Sequence, residues 1–304
     1  RSFLASKTNP VLLIDFAGQK VFESATVDVN ILLFKKENNA GQTQACLIKD
    51  KCRNNLSNYI QQNSTIDKFI SNSSWIIMSV IENSIRMKIQ TKGIPLEKWN
   101  IKINYGVKTG FNEAFIITGK TKDELIAEDP KSVEVIRPIL RGRDIKKYSF
   151  SYADLWLISL FPSRHYNIDD YPAIKRHLLS FGMERLEQTG RVYSINGQNI
   201  RARKKTNNKW YETQDSISYW DDFSKQKIVY REISEEMDAC IIDEEVYVNN
   251  KCYIITGEHL EYLICVLNSK LFNKIILQSA NQTGGKGRDF LEKIHIPFRD
   301  NDMV

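Results

Sequence analysis

An α+β fold built on mixed sheets with long helices is what this sequence predicts, on three observations. Short strand-like runs rich in Val, Ile, Leu and aromatic residues recur along the chain, and amphipathic helical patterns stand among them. A hydrophobic fraction of 42% with 11% aromatics supplies material for real cores. At 304 residues the chain is long enough for one large or two ordinary domains.

Taken in order, Val11–Phe16, Thr26–Phe34 and Gln44–Ile48 read as strands. Two or three strands without helices around them make no core. They are expected to be the last strands of a sheet whose remainder lies outside this sequence, or to pack on the segments C-terminal to them. Residues 51–100 form a helical connector, helical in two pieces between Tyr59 and Lys92 and stopped by Gly93-Ile-Pro95. Residues 101–304 are expected to be a self-sufficient mixed domain. Its strands are Ile101–Tyr105, Ala114–Thr118, Ala153–Ser159, Lys227–Tyr230 and Cys240–Asp243, with Val246–Val248 and Cys252–Ile255 as a pair joined by Asn249-Asn-Lys. A short helix begins near Pro130, an amphipathic one spans Ile174–Thr189, and the strongest helical pattern runs from Glu258 to Ser279.

Charge is modest overall, +6 with pI near 8.9, so any polyanion site has to be local. Cys46, Cys52, Cys240, Cys252 and Cys265 are widely spaced and form no CxxC or CxxH pair, which predicts free thiols in a reducing cytoplasm and no zinc site. No apolar run reaches the roughly 20 residues that cross a bilayer, and no signal peptide opens the sequence, so no membrane partner is expected.

The strongest local charge lies in Arg137–Tyr148, with five cations and one acid in twelve residues. Gly142 lets the backbone turn between Arg141 and Arg143, whose planar forks match two phosphate oxygens or the edge of guanine. Lys146 and Lys147 suit phosphates. The alternative is a solvated loop whose arginines pair with Asp129, Glu134 or Asp144. In Tyr105–Phe115 two glycines bracket Lys108 and Thr109, a turn that presents amides and an ammonium to a phosphate or is an ordinary hairpin turn; it is not a P-loop. Arg201, Arg203, Lys204 and Lys205 form a second basic cluster, either laid along a DNA backbone or a mobile basic loop. Gln282, Lys286 and Arg288 lie in a glycine-rich run that permits close approach to a phosphate or groove.

Five segments occur together and in order: Phe22–Phe34, Gly93–Trp99, Gly106–Phe115, Leu140–Ile145 and Ser218–Phe223. The series resembles the C-terminal part of the N6-adenine DNA methyltransferases fused to restriction enzymes, the type IIG group with a TaqI-like specificity domain. The resemblance covers nearly the whole chain, and the ending Leu-Glu-Lys-Ile-His-Ile-Pro297 is similar to what closes such target recognition domains. It implies that residues 1–50 are a remnant of a Rossmann-like methyltransferase sheet and that 101–304 read duplex DNA. It further implies that Phe22 stacks on a flipped adenine, although a plain core Phe fits the same position.

The sequence departs from the family where catalysis would lie. The Asn/Asp-Pro-Pro-Tyr motif and the glycine-rich S-adenosylmethionine loop are missing, and no acid followed by Glu-x-Lys marks a nuclease. The resemblance therefore implies no catalytic residue, metal or cofactor in this chain. S-adenosylmethionine, and Mg for cleavage, belong to a parent enzyme whose methyltransferase domain is this module's partner. A DNA endonuclease or divergent methyltransferase, and a protein-interaction module of a phage-defence system, are the alternative readings.

Overall fold

Strands and helices both follow from alternation in burial, and they assemble into two compact units. In the computed structural model, described for residues 2–25, 27–48, 55–71, 75–195, 197–232, 234, 236–276 and 288–297, one unit holds Arg1–Ile94, Lys274–Gly285 and Ile294–Val304, and the other Pro95–Asn273 and Lys286–Lys293. The α+β class with mixed sheets is observed.

The first unit is built on a four-stranded sheet in the order Asn30–Lys35, Asn9–Asp15, Thr43–Leu47, Thr65–Asp67. Asn9–Asp15 runs antiparallel to Asn30–Lys35 and parallel to Thr43–Leu47. Period-two alternation sends Cys46 to one face, with Ile14 and Ile48 under helix Leu56–Asn63, and Ala45 to the other, with Phe69 and Ile77. Helix Val80–Lys92 begins with a capping box, in which Ser79 Oγ accepts from Glu82 N and the Glu82 carboxylate accepts from Ser79 N. It ends at Gly93, where a short strand pairs with His295–Pro297.

The second unit is layered. One sheet has the order Tyr247–Val248, Ile136–Leu140, Leu155–Ile158, Ile116–Thr118; the other, wholly antiparallel, has Ala239–Ile242, Lys227–Arg231, Cys252–Gly257, Ile101–Tyr105. Their facing sides share one core in which Ile139 and Leu157 meet Val229, Cys240 and Ile254. The neighbouring residues Ile136 and Ile158 face away, onto a second core with Leu125, Ile174 and Leu186 from the helices. Helix Leu260–Leu267 lies against strands of the second sheet.

Several expected elements differ. Ala114–Thr118 is not all strand: Asn112–Phe115 is a helical turn, and the strand is Ile116–Thr118. The helix expected over Ile174–Thr189 breaks at Gly182, held at φ +87°, into Pro172–Leu179 and Met183–Leu186. Among the described residues, the expected Glu258–Ser279 helix is α-helical over Leu260–Leu267 and again at Lys270 and Leu271, followed by a π-helical turn at Phe272–Ile276. Its first α-helical stretch ends where the buried Asn268 side chain pairs with both backbone groups of Ala239. Tyr247–Val248 and Cys252–Gly257 are not a hairpin pair; the first lies parallel to Ile136–Leu140 and the second joins the other sheet. An unexpected hairpin pairs Val192–Ile195 with Gln198–Arg201.

Candidate nucleic-acid interface

Where the chain crosses from one sheet to the other at Asn249–Lys251, it gathers segments that are far apart in sequence. Asn249 N donates to Leu140 O (3.0 Å), Asn250 N to Val107 O (3.0 Å) and Val107 N to Val248 O (2.7 Å). Only glycine fits at 106, since a Cβ there would lie 2.1 Å from Asn249 O. Likewise a Cβ on Gly142 would stand 3.3 Å from Lys251 Cβ, so the Arg141–Arg143 turn sits beside Lys251. On the other side, Gln214 N and Asp215 N both donate to Lys108 O (3.1 and 3.3 Å).

The result is a run of cations drawn from separate stretches. Arg143, Lys251 and Lys204 are exposed and Lys108 is half-buried. Lys108 and Lys204 both act on the Asp215 carboxyl: burial pushes it up, and the two ammonium groups oppose the rise. Tyr219, whose hydroxyl donates to Tyr105 O (2.9 Å), feels both Asp215 and Arg288, so Arg288 belongs to the same neighbourhood. Arg288 is exposed and 3.4 Å from Glu292. Lys146 and Lys147 are exposed on the small hairpin Ile145–Phe150, which follows Arg143 and Asp144 in the chain and is closed at its base by the Ser151 N to Asp144 O bond (2.9 Å).

Other expected site residues are turned inward. Arg203 is 4% exposed, and its guanidinium donates to Leu186 O twice and to Thr109 O, Glu212 O and Trp210 O. All five of its N–H donors are used, so it has none for a base or phosphate. Burial pushes its pKa down to about 10 against the pull of Glu212. Thr109 is buried too; its hydroxyl accepts from Phe111 N (3.1 Å) and donates to Asn112 Oδ1 (2.7 Å), at the start of the helical turn Asn112–Phe115. Arg141 grips Asp144 with both arms of its fork, at 2.9 and 2.8 Å, the pairing weighed as the alternative for this stretch. Burial pushes the Asp144 carboxyl up, yet the hydrogen bonds from the Arg141 side chain and backbone hold it below the usual range.

Arg201, Lys204 and Lys205 are exposed. Phe22, in the first unit, is 53% exposed and is not a core residue. Gln282, Lys286 and Cys52 lie outside the described residues. Cys240 and Cys252 are buried free thiols, and Cys46 is buried as well. Among the described residues no three His, Cys, Asp or Glu gather to hold a metal ion, and no helix is long and apolar enough to cross a membrane. Sequence reasoning missed Lys251, hidden in what read as a hairpin turn, and the hairpin ending at Arg201, although Asn196-Gly197 is a strong hairpin signal.

Fold and surface together define a binding module: layered sheets and helices that bring cations from separate segments onto one run of surface. Residues 137–294, more than half of the chain, match the TaqI-like C-terminal specificity domain, and the chain belongs to that family. Among solved structures, 96% of the chain aligns with 34% of the type IIL restriction-modification enzyme MmeI, solved in complex with DNA, at 14% identity and a TM-score of 0.49. It aligns over 99% of its length with 38% of the type IIG restriction endonuclease BpuSI, at 11% identity and a TM-score of 0.42. The chain thus spans little more than a third of either. No curated protein matches it.

Proposed function

We propose that this chain is the duplex-DNA recognition module of a restriction-modification enzyme, selecting the sequence around an adenine that a methyltransferase domain of the same polypeptide methylates at N6. The observation that carries the reading is the approach of Arg143, Lys251 and Lys108 to the sheet crossing, with Lys204 acting alongside Lys108 on Asp215, in a chain of the TaqI-like specificity family. Such a run tracks a line of phosphates, while reading falls to donors that reach base edges. In this reading Lys108, Lys146, Lys147 and Lys204 contact phosphates, and the bases are read by Arg143, by the basic segment that opens at Arg201 and by the run from Gln282 to Arg288.

The mixed sheet of the first unit, with its parallel Asn9–Asp15 and Thr43–Leu47 pair, supports reading residues 1–50 as the end of a Rossmann-like methyltransferase sheet. Exposure of Phe22 supports its stacking on an extruded adenine. S-adenosylmethionine, and Mg for cleavage, are needs of the catalytic domains and not of this chain, and the whole acts in the cytoplasm. The test is selection from a random duplex pool across salt concentrations. Enrichment of one short adenine-containing site is expected; no affinity at low salt would sink the proposal in favour of a protein-interaction module.

A further inference from the structure

The hairpin Val192–Ile195/Gln198–Arg201 divides its residues by face. Tyr193, Ile195 and Ile200 are half-buried on one side, with Tyr193 opposite Ile200. On the other side the opposed pairs Val192–Arg201 and Ser194–Asn199 are all exposed. Among the described residues, neither Asn199 nor Arg201 spends its side chain on a hydrogen bond or ion pair.

The root of this ribbon is rigid. Ala202 N donates to Arg191 O (2.9 Å), Gly190 N to Arg203 O (2.8 Å) and Arg203 N to Glu187 O (2.9 Å), extending the pairing past the last strand residue. The buried Arg203 guanidinium then ties that root to Leu186, Thr109 and Glu212. Arg203 is a positioning residue: it fixes where the ribbon leaves the unit. Lys204 and Lys205 come directly after it and are exposed, which sets cations at the ribbon's foot.

Resting on the DNA-recognition reading above, we infer that this ribbon enters the major groove and reads bases with Asn199 and Arg201. A major groove admits a two-stranded ribbon, and the outward face carries the matching chemistry. A carboxamide pairs with the N6 and N7 edge of adenine, a guanidinium with O6 and N7 of guanine, and Val192 offers a methyl surface to thymine. Phosphates on either side of the groove meet Lys204 and Lys205. Residues two apart on a strand are about 6.7 Å apart, and base pairs rise by about 3.4 Å. Asn199 and Arg201 therefore read positions no more than about two base-pair steps apart.

The experiment is selection from a random duplex pool with the full chain, with Asn199→Ala and Arg201→Ala, and with Lys251→Ala as a phosphate-contact comparison. The expected result is a motif from the unaltered chain in which each ribbon variant loses preference at one position, the two positions lying within two steps. Asn199→Ala keeps its affinity for the unselected pool within about threefold, because it loses no charge. Lys251→Ala binds every sequence more weakly and keeps the motif. Both ribbon side chains are exposed, so unchanged melting confirms that folding is not at issue. Motifs unchanged in both ribbon variants would overturn the ribbon assignment and leave the recognition reading standing. A chain that binds the pool but enriches nothing overturns base reading by this ribbon, and one that binds nothing overturns both.

Discussion

Arg201 and Arg203 are two residues apart in one basic cluster and have opposite fates. Arg201 is exposed at the end of a strand; Arg203 is 4% exposed with every donor committed to a backbone carbonyl. Charge alone could not separate them in the sequence, because burial of a guanidinium is decided by carbonyls up to 94 residues away. Removing Arg203 leaves those carbonyls without donors in a dry site. Arg203→Ala should cost about 3 kcal/mol or more, a fall in Tm of roughly 6–12 °C, while Arg203→Lys, with three donors for the four carbonyls that take five hydrogen bonds, recovers only part. Calorimetry decides it, and a melt within a degree or two of the parent would show that the cage is not structural. Lys227 is a second buried cation, fully enclosed, donating to Lys225 O (3.1 Å) and Glu244 O (2.8 Å), its pKa pushed down to about 8 by burial against the pull of Glu244, Asp243 and Glu245. Its folded pKa lies below its ordinary value of 10.5, so between those limits the unfolded chain binds more protons and stability rises with pH. Relative to Lys227→Met, the parent should gain about 2 kcal/mol between pH 7.5 and 9.5. A flat difference across that range would contradict the shift.

Among elements, strands were legible wherever alternation was clean, and both sheets of the second unit contain runs read from periodicity, such as Leu155–Ile158 in one and Ile101–Tyr105 in the other. Pairing was not legible. Tyr247–Val248 and Cys252–Gly257 read as partners because three polar residues join them, yet the backbone of Asn249–Lys251 turns on itself, with Cys252 N donating to Asn249 O (2.9 Å), and sends them to different sheets. Helix ends were overrun for the same reason. An apolar stripe carries the pattern through Gly182 and Asn268, whereas a left-handed glycine and a buried amide bound to Ala239 end the helices in fact. The crossing itself depends on Gly106. Gly106→Ala would place a Cβ 2.1 Å from Asn249 O and 2.6 Å from Val248 O, backbone that must move. The cost should be about 3 kcal/mol or more. By contrast Gly197→Ala, in the ribbon turn at φ +76°, meets nothing within 4 Å and should cost only about 1 kcal/mol from its left-handed backbone. Denaturant unfolding of the two variants distinguishes close approach from backbone conformation; equal losses would show that the crossing relaxes freely.

At the scale of the whole molecule, a net charge of +6 is too small to make a general polyanion binder, so placement has to do what quantity does not. The stretches around Arg143 and Lys204 were visible as local excesses of cations, but the meeting of the run was not, because it is made by hydrogen bonds between residues as distant as Leu140 and Asn249, or Lys108 and Gln214. Lys251 is the sharpest case: it is a single lysine after two asparagines, and only the close approach at Gly142 puts it beside Arg143. If the run tracks a line of phosphates, each member releases its share of counterions independently of sequence. Lys251→Ala should then weaken binding to every duplex alike and reduce the slope of log affinity against log salt by about 0.9. Lys175, held 2.6 Å from Asp169 on helix Pro172–Leu179, is the control, and Lys175→Ala should leave the slope unchanged. Anisotropy titrations on one random-sequence duplex at four or five salt concentrations measure both. A Lys251 variant with the parent's slope would remove the sheet crossing from the interface, whereas a loss confined to one sequence would make Lys251 a base reader instead of a phosphate contact.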